Sequence, residues 1–355
     1  MTLEQLGFTE DLRNYQTEHN LSSFQIGRVA SEHKERYIVK TDSCDFDAEL
    51  VGNLRFTAES RFDFPAVGDW VAISEYDENK ALIHAIYPRK SIIERRSVGS
   101  TGQKQIIATN VDFALVVQAV DRDFNINRLE RYLTICHSSG IEAILILSKI
   151  DLIDGEQIVR LKKSIVERIR NTPLICLSNE TQEGYTLLSN LIHAQKTYCL
   201  LGSSGVGKST LLNKLTGTAK MKTAEISSSV GRGKHITSHR ELILLDNGAI
   251  LIDNPGMREV GIADAPSGIE TTFVSIFELS EKCRYKDCKH IHEDGCAILE
   301  AIDRNEIHED SYQNFLKMEK EKMHFESTVA EKKKKDKDLG KLIKNFKKNR
   351  KQKKN

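Results

Sequence analysis

The stretch GSSGVGKST, residues 202–210, constrains this chain more than any other. It satisfies G-x-x-x-x-G-K-[ST], in which glycines let successive backbone N–H groups turn inward on phosphate oxygens at the start of a helix. TYCLL reads as a strand before it and KSTLLNKLTG as a helix after it, which is the context such a loop needs. The phosphate-binding set is then Gly202, Ser203, Ser204, Gly205, Val206, Gly207, Lys208, Ser209 and Thr210. Lys208 should reach the β- and γ-phosphates and the Ser209 hydroxyl should ligate Mg²⁺. A loop of this kind ordinarily follows the first strand of its domain, yet here it begins at residue 202 of 355.

The upstream sequence accounts for the displacement. DFALVVQAV, EAILILSK and PLICLS lie before the loop, and LILLDN and AILIDNPG lie after it. These short apolar runs alternate with helical patterns such as NINRLERYLTICHSSG and QIVRLKKSIVERIRN. That alternation predicts a parallel sheet covered by helices on both faces. EAILILSKID ends in Ser148, Lys149, Ile150 and Asp151, close to N-K-x-D. An Asp carboxylate there accepts from N1–H and the 2-amino group of guanine, which adenine cannot offer. The Lys149 stem can lie along the base. Ser178, at the end of the next strand, can support the base from the other side. Both loops end apolar strands, as ligand loops do at the carboxyl edge of an open α/β sheet.

Downstream, Asp253 and Gly256 form D-x-x-G at the end of a strand, placed for the Mg²⁺ shell and the γ-phosphate. Between the two lies SSSVGRGKHITSHREL, 227–242, which reads as a switch loop. Thr237 is the candidate hydroxyl for Mg²⁺ and the γ-phosphate, and His235 the candidate for positioning water. Met257 follows Gly256, where Ras-like proteins place a water-orienting Gln, so intrinsic hydrolysis should be slow. Base reader, base support, phosphate loop, switch and D-x-x-G are thus the parts of a GTPase in rotated order, a circular permutation.

Two further regions flank this domain. FQIGRVA, ERYIVKT, CDFDAELVGNL, DWVAIS and ALIHAIYPRKSIIERR read as about five short strands of a small closed barrel such as an OB-fold. Residues 263–330 are mostly helical in pattern and contain CRYKDCKHIHEDGC. Cys283, Cys288, His290 and Cys296 give C-x4-C-x-H-x5-C, a donor set for one structural tetrahedral Zn²⁺, with His292 as the rival fourth ligand. The odd cysteine count of seven, with no export signal, points to a reducing cytoplasm. No apolar run is long enough for a membrane span. Residues 331–355 carry thirteen Lys or Arg against three acids, a net of +10. The chain totals +1, so the other 330 residues carry −9. A basic tail on an acidic body suits a nucleic-acid partner; a solvated tail explains the same composition.

Barrel with VGDWV, permuted GTPase and C-x4-C-x-H-x5-C module together resemble the RsgA family of ribosome small-subunit-dependent GTPases. GSSGVGKST, VGRGKHITSHREL, IDNPGMRE and the cysteine spacing carry the resemblance over nearly the whole chain. It implies a multidomain fold: an N-terminal β-barrel (OB-fold) over 1–95, a circularly permuted α/β P-loop GTPase domain over 96–262, a helical zinc domain over 263–330 and the tail over 331–355. It further implies GTP hydrolysis stimulated by the small ribosomal subunit, a role in late maturation of that subunit, and contacts to its rRNA. A cytoplasmic monomer with no membrane partner fits this picture. The family's base reader begins with Asn where Ser148 stands, its switch reads H-T-T-T where His235, Ile236, Thr237 and Ser238 stand, and its D-T-P-G is D-N-P-G here. The rivals are a nucleotide-gated RNA-binding protein in which hydrolysis is incidental, and a P-loop ATPase, against which Asp151 argues.

Overall fold

The computed structural model describes residues 1–33, 35–96, 104–121, 124–217, 240–253 and 266–323. Contacts divide the chain into two units, Met1–Gly261 and Ile262–Asn355. In the first, a short helix, α1 (Glu10–Glu18), precedes an antiparallel meander of β1 (Gln25–His33), β2 (Arg36–Lys40) and β3 (Asp45–Leu50). After α2 (Gly52–Thr57) come β4 (Trp70–Asp77) and β5 (Lys80–Ile86). β3 pairs parallel with β5, β5 antiparallel with β4, and β4 antiparallel with β1, which closes a five-stranded OB-like barrel. Alternation along the strands sends Val29, Tyr37, Val39, Phe46, Ala48, Val71, Ile73, Ala81 and Ile83 inward, all at most 2% exposed.

The run ALIHAIYPRKSIIERR is not one strand. β5 stops at Ile86, and Pro88, which lacks an N–H to continue the ladder, follows. The remainder forms β6 (Ile92–Arg96), which leaves the barrel and pairs with β7 (Lys104–Thr109) as a two-stranded ribbon. The VGDW turn lies at this departure. The buried Asp69 carboxylate accepts from Arg89 Nε at 2.9 Å and Nη2 at 2.7 Å, and from the Ala66 N–H at 2.8 Å. Arg89 also donates to the carbonyls of Phe62 and Phe64, so one guanidinium ties the loop before β4 to the chain leaving β5.

The second part of this unit is built from β8 (Phe113–Ala119), α3 (Ile126–Ser138), β9 (Glu142–Ser148), α4 (Gly155–Arg168), β10 (Leu174–Leu177), α5 (Tyr185–Leu191), β11 (Thr197–Leu201), α6 (Lys208–Leu215), β12 (Glu241–Leu244) and β13 (Ile250–Asp253). Its strand order is β10-β9-β8-β11-β13-β12, parallel except for β12. All the strands read from sequence take their places in it. Leu129, Leu133 and Ile165 pack on one face with Val116, Leu145 and Leu201. Leu188, Leu211 and Leu212 pack on the other with Leu115, Val117, Leu200 and Leu251. The carboxyl ends of β8, β9, β10, β11 and β13 therefore lie along one edge, where ligands bind in open α/β sheets.

Barrel and sheet meet where β1 pairs with β12 at Ser31 and Glu241. Arg28, 1% exposed, lies beside this junction. It donates from Nη1 to the Leu6 carbonyl at 2.6 Å, from Nε to Gly68 at 3.1 Å and from Nη2 to Asn110 at 3.2 Å. Its guanidinium also sits 5.4 Å from the Trp70 ring centroid. Burial pushes its pKa down to about 10, so it remains charged at neutral pH.

The second unit holds α7 (Pro266–Thr272), α8 (Val274–Ser280), α9 (Ala297–Asp303) and a helix over 309–323. Ile269, Phe273, Ile276, Ile298, Phe315 and Met318 form its core. Among the described residues no helix is long and apolar enough to cross a membrane. The basic tail lies outside the described residues.

Arg28→Met keeps the stem but removes three hydrogen bonds, leaving the Leu6 and Asn110 carbonyls without their donor while Gly68 keeps the Asn110 side-chain amide. It should cost about 3 kcal/mol of stability, seen as a lower urea midpoint with unchanged slope.

Candidate functional site

β11 is buried along its whole length and delivers the chain to Gly202. There φ is +146°, and a Cβ would meet the Val117 carbonyl oxygen of β8 at 2.2 Å, so only glycine fits. Gly207 has φ +92°, and a Cβ there would meet Asn179 Nδ2 at 2.7 Å. α6 starts at once with Lys208, whose Nζ donates to the carbonyls of Gly202 at 2.8 Å and Ser203 at 2.5 Å. The loop thus curls around its own lysine at a helix N-terminus, an arrangement able to take an anion.

The base-side loops close onto this one. Ser148, 1% exposed, donates from Oγ to the Val206 carbonyl at 2.7 Å. Lys149 takes a left-handed turn, φ +60°, and its Nζ pairs with Asp121 Oδ2 at 2.9 Å. Ile150 is buried beneath the turn, and Asp151 is exposed above it. Ser178 Oγ donates to Asp151 Oδ1 at 2.5 Å and accepts the N–H groups of Glu180 and Thr181 at 3.1 Å. A fixed carboxylate beside a fixed lysine can read a base edge that offers two donors.

Two residues of this cluster were not singled out in the sequence. Asp121 anchors Lys149 from the end of β8. Asn179 donates from Nδ2 to the Gly207 carbonyl at 3.3 Å, accepts from the Tyr185 hydroxyl at 2.6 Å, and offers its own carbonyl to Lys214. Asn179 stands next to Ser178 at a strand end, the one sequence signal that marked it. On the γ-phosphate side Asp253 is half-buried as the last residue of β13, paired with Glu241. His235, Thr237, Gly256 and Met257 lie outside the described residues.

In the second unit Cys283, Cys288, His290 and Cys296 bring their ligand atoms within 4.8 Å of one another. Cys283 Sγ lies 3.5 Å from His290 Nδ1 and 3.9 Å from Cys296 Sγ, and Cys296 Sγ lies 3.6 Å from the same nitrogen. A tetrahedron with metal–sulfur bonds of about 2.3 Å has edges of about 3.8 Å, so the group can hold a metal ion. His292 is exposed and stands outside the group. Burial lowers the His290 pKa, favouring the neutral imidazole that ligates. Burial and the neighbouring thiols push Cys288 up to about 11, so a cation would have to displace its proton. The connecting loop is organised by Glu293, whose carboxylate accepts the N–H groups of His292, Ile291 and Lys289 at 3.1, 2.9 and 3.0 Å. Those bonds, led by His292, hold its pKa at about 2.

Comparison with known proteins agrees with this geometry. A model of the RsgA GTPase family matches residues 86–263, and one described as 50S ribosome-binding GTPase matches residues 197–335. The small ribosomal subunit biogenesis GTPase RsgA 2 of Listeria monocytogenes serotype 4b is 41% identical over 323 residues, which cover 90% of this chain and 89% of that one. The chain belongs to the RsgA GTPase family. RsgA 1 of Bacteroides thetaiotaomicron is 35% identical over 343 residues, 96% of either chain. The crystal structure of YjeQ from Thermotoga maritima shares the fold, with a TM-score of 0.62 at 23% identity, covering 84% of this chain and 98% of its own. That of YloQ, a circularly permuted GTPase, has a TM-score of 0.60 at 22% identity. This RsgA GTPase is accordingly a GTP hydrolase on a permuted sheet. Its Ser148 still reaches the phosphate loop, from the position where the sequence resemblance leads one to expect Asn.

Glu293→Ala would free three N–H groups in the loop that carries His290. Metal preloaded on the full chain should then pass to a chelating dye about tenfold faster than from the unsubstituted protein, with the metal content at loading unchanged.

Proposed function

We propose that this RsgA GTPase binds the small ribosomal subunit, acts late in its maturation, and hydrolyses GTP to GDP and phosphate faster when bound there. The names of its relatives support the subunit. The observation that carries the chemistry is the closure of the base-side loops on the phosphate loop through Ser148, with Asp151 held by Ser178. Ser148, Lys149, Ile150, Asp151 and Ser178 take the guanine side. Gly202 to Thr210 take the phosphates, with Lys208 on the outer ones. Ser209 and Thr237 ligate Mg²⁺, Asp253 supports its shell, Gly256 senses the γ-phosphate, and His235 positions water. Cys283, Cys288, His290 and Cys296 hold one structural Zn²⁺, because three thiolates and one imidazole are a donor set suited to it.

In this reading the chain is a cytoplasmic monomer of an OB-fold domain over 1–95, a GTPase domain over 96–262, a zinc domain over 263–330 and a basic tail over 331–355. Barrel, zinc domain and tail meet rRNA, the tail chiefly by counterion release. GTP orders the switch and favours docking, hydrolysis follows, and the GDP form leaves.

Steady-state phosphate release should rise strongly with purified small subunits and stay near basal with large ones. Tight GTP binding with no stimulation by either would favour a nucleotide-gated RNA binder instead. Asp151→Asn should weaken GTP binding by about a hundredfold or more while leaving the weak ATP affinity unchanged, measured by competition against a fluorescent guanine nucleotide.

A further inference from the structure

Ser203, the second residue of the phosphate loop, is gripped from two sides. Its carbonyl accepts from Lys208 Nζ at 2.5 Å, inside the loop. Its side chain faces α3, where Arg128 Nη1 donates to Ser203 Oγ at 3.1 Å. Tyr132 is in hydrogen-bonding contact with the same hydroxyl. Residues four apart share a helix face, so α3 presents Arg128 and Tyr132 to the loop together. Tyr132 is 6% exposed and shields the contact on its side, while Arg128 and Ser203 are half-buried.

α3 is itself fixed. Arg168, near the end of α4, donates to Glu130 Oε2 at 2.8 Å and Oε1 at 3.1 Å, and to Asn127 Oδ1 at 2.5 Å. The two charged side chains are 8% and 2% exposed. Such a forked, buried pair sets direction as well as distance. Arg128 sits between Asn127 and Glu130 in sequence, so its guanidinium is offered to the loop from a helix that cannot roll freely. Neither Arg128 nor Tyr132 belongs to the loop motif or to any strand-end loop of the site.

We propose that Arg128 is a positioning residue for GTP hydrolysis, acting through Ser203 to fix the first half of the phosphate loop and, with it, the Lys208 ammonium. The inference rests on the assignment of residues 202–210 as the phosphate loop. Its physical basis is that Lys208 works by location. A preorganised cation stabilises charge that develops on transferring oxygens without reorganising at that moment, and a small displacement costs rate more than ground-state binding.

The test uses the full-length protein, with phosphate release measured over a GTP series. Arg128→Ala should lower kcat about tenfold with KM for GTP changed by about twofold or less. Ser203→Ala should do the same, and the double variant should be no slower than the slower single one, because both remove one latch. Arg128→Lys should recover most of the rate, since an ammonium can still donate to one hydroxyl. An unchanged kcat in Arg128→Ala, additive losses in the double variant, or a loss that tracks a lowered thermal midpoint and is not recovered by Lys would each overturn the proposal. Lys208→Ala distinguishes the two levels. If it abolishes GTP binding while Arg128→Ala is silent, the latch alone fails; if it binds GTP normally, the phosphate-loop assignment fails and the latch with it.

Discussion

A buried hydrogen bond, from the Ser148 hydroxyl to the Val206 carbonyl at 2.7 Å, ties the base-side loops to the phosphate loop. β9 and β11 are not neighbours in the sheet; β8 runs between them. Their loops must arch toward each other over the end of β8, and nothing in local chain geometry compels them to meet. Where they do, Ser148 spends its only donor on a backbone carbonyl that water cannot reach. Leaving that carbonyl unpaired would cost more than the bond contributes, so the meeting is enforced by the penalty of separation. Gly202 adds the floor: its lack of a side chain lets the loop rest directly on the Val117 carbonyl. Asn179 to Gly207 is a second stitch on the same seam.

What could be read from the sequence was what is encoded locally. The phosphate loop announces itself because its glycines, lysine and flanking strand and helix are contiguous. The strands of the parallel sheet are legible as short apolar runs, since both of their faces are buried. The metal group is legible because its four ligands fall within fourteen residues. Partnership between distant residues was not legible. Nothing near Arg28 says that its guanidinium will bridge Leu6, Gly68 and Asn110. Nothing near Asp121 says that it will pair with Lys149. The departure of β6 from the barrel has a local cause in Pro88, but its destination, β7, is set by pairing that only the folded chain reveals.

The replacement of an expected Asn by Ser148 illustrates how a site tolerates change. The job at that position is to reach a neighbouring loop with a hydrogen-bond donor, and a hydroxyl does so if the loops sit close enough. Here Gly202 lets the phosphate loop rest on the β8 backbone, and Gly207 leaves room for the Asn179 side chain beside it. The metal group relies on the same economy of space. The left-handed turn at His290, φ +61°, brings its Nδ1 to the thiols, and Glu293 fixes the backbone that makes the turn.

The rotated order of the sheet also has a consequence for how the chain is made. β8, β9 and β10 leave the ribosome first and can pair among themselves, but β8 belongs in the middle of the finished sheet, against β11. Until residue 201 has emerged, one whole edge of β8 is left without its ladder, in a strand whose residues Ala114 to Ala119 are all buried in the native protein. Such an edge invites pairing with the wrong chain. The arrival of β11, just ahead of the phosphate loop, is thus also the moment at which the nascent domain covers that edge.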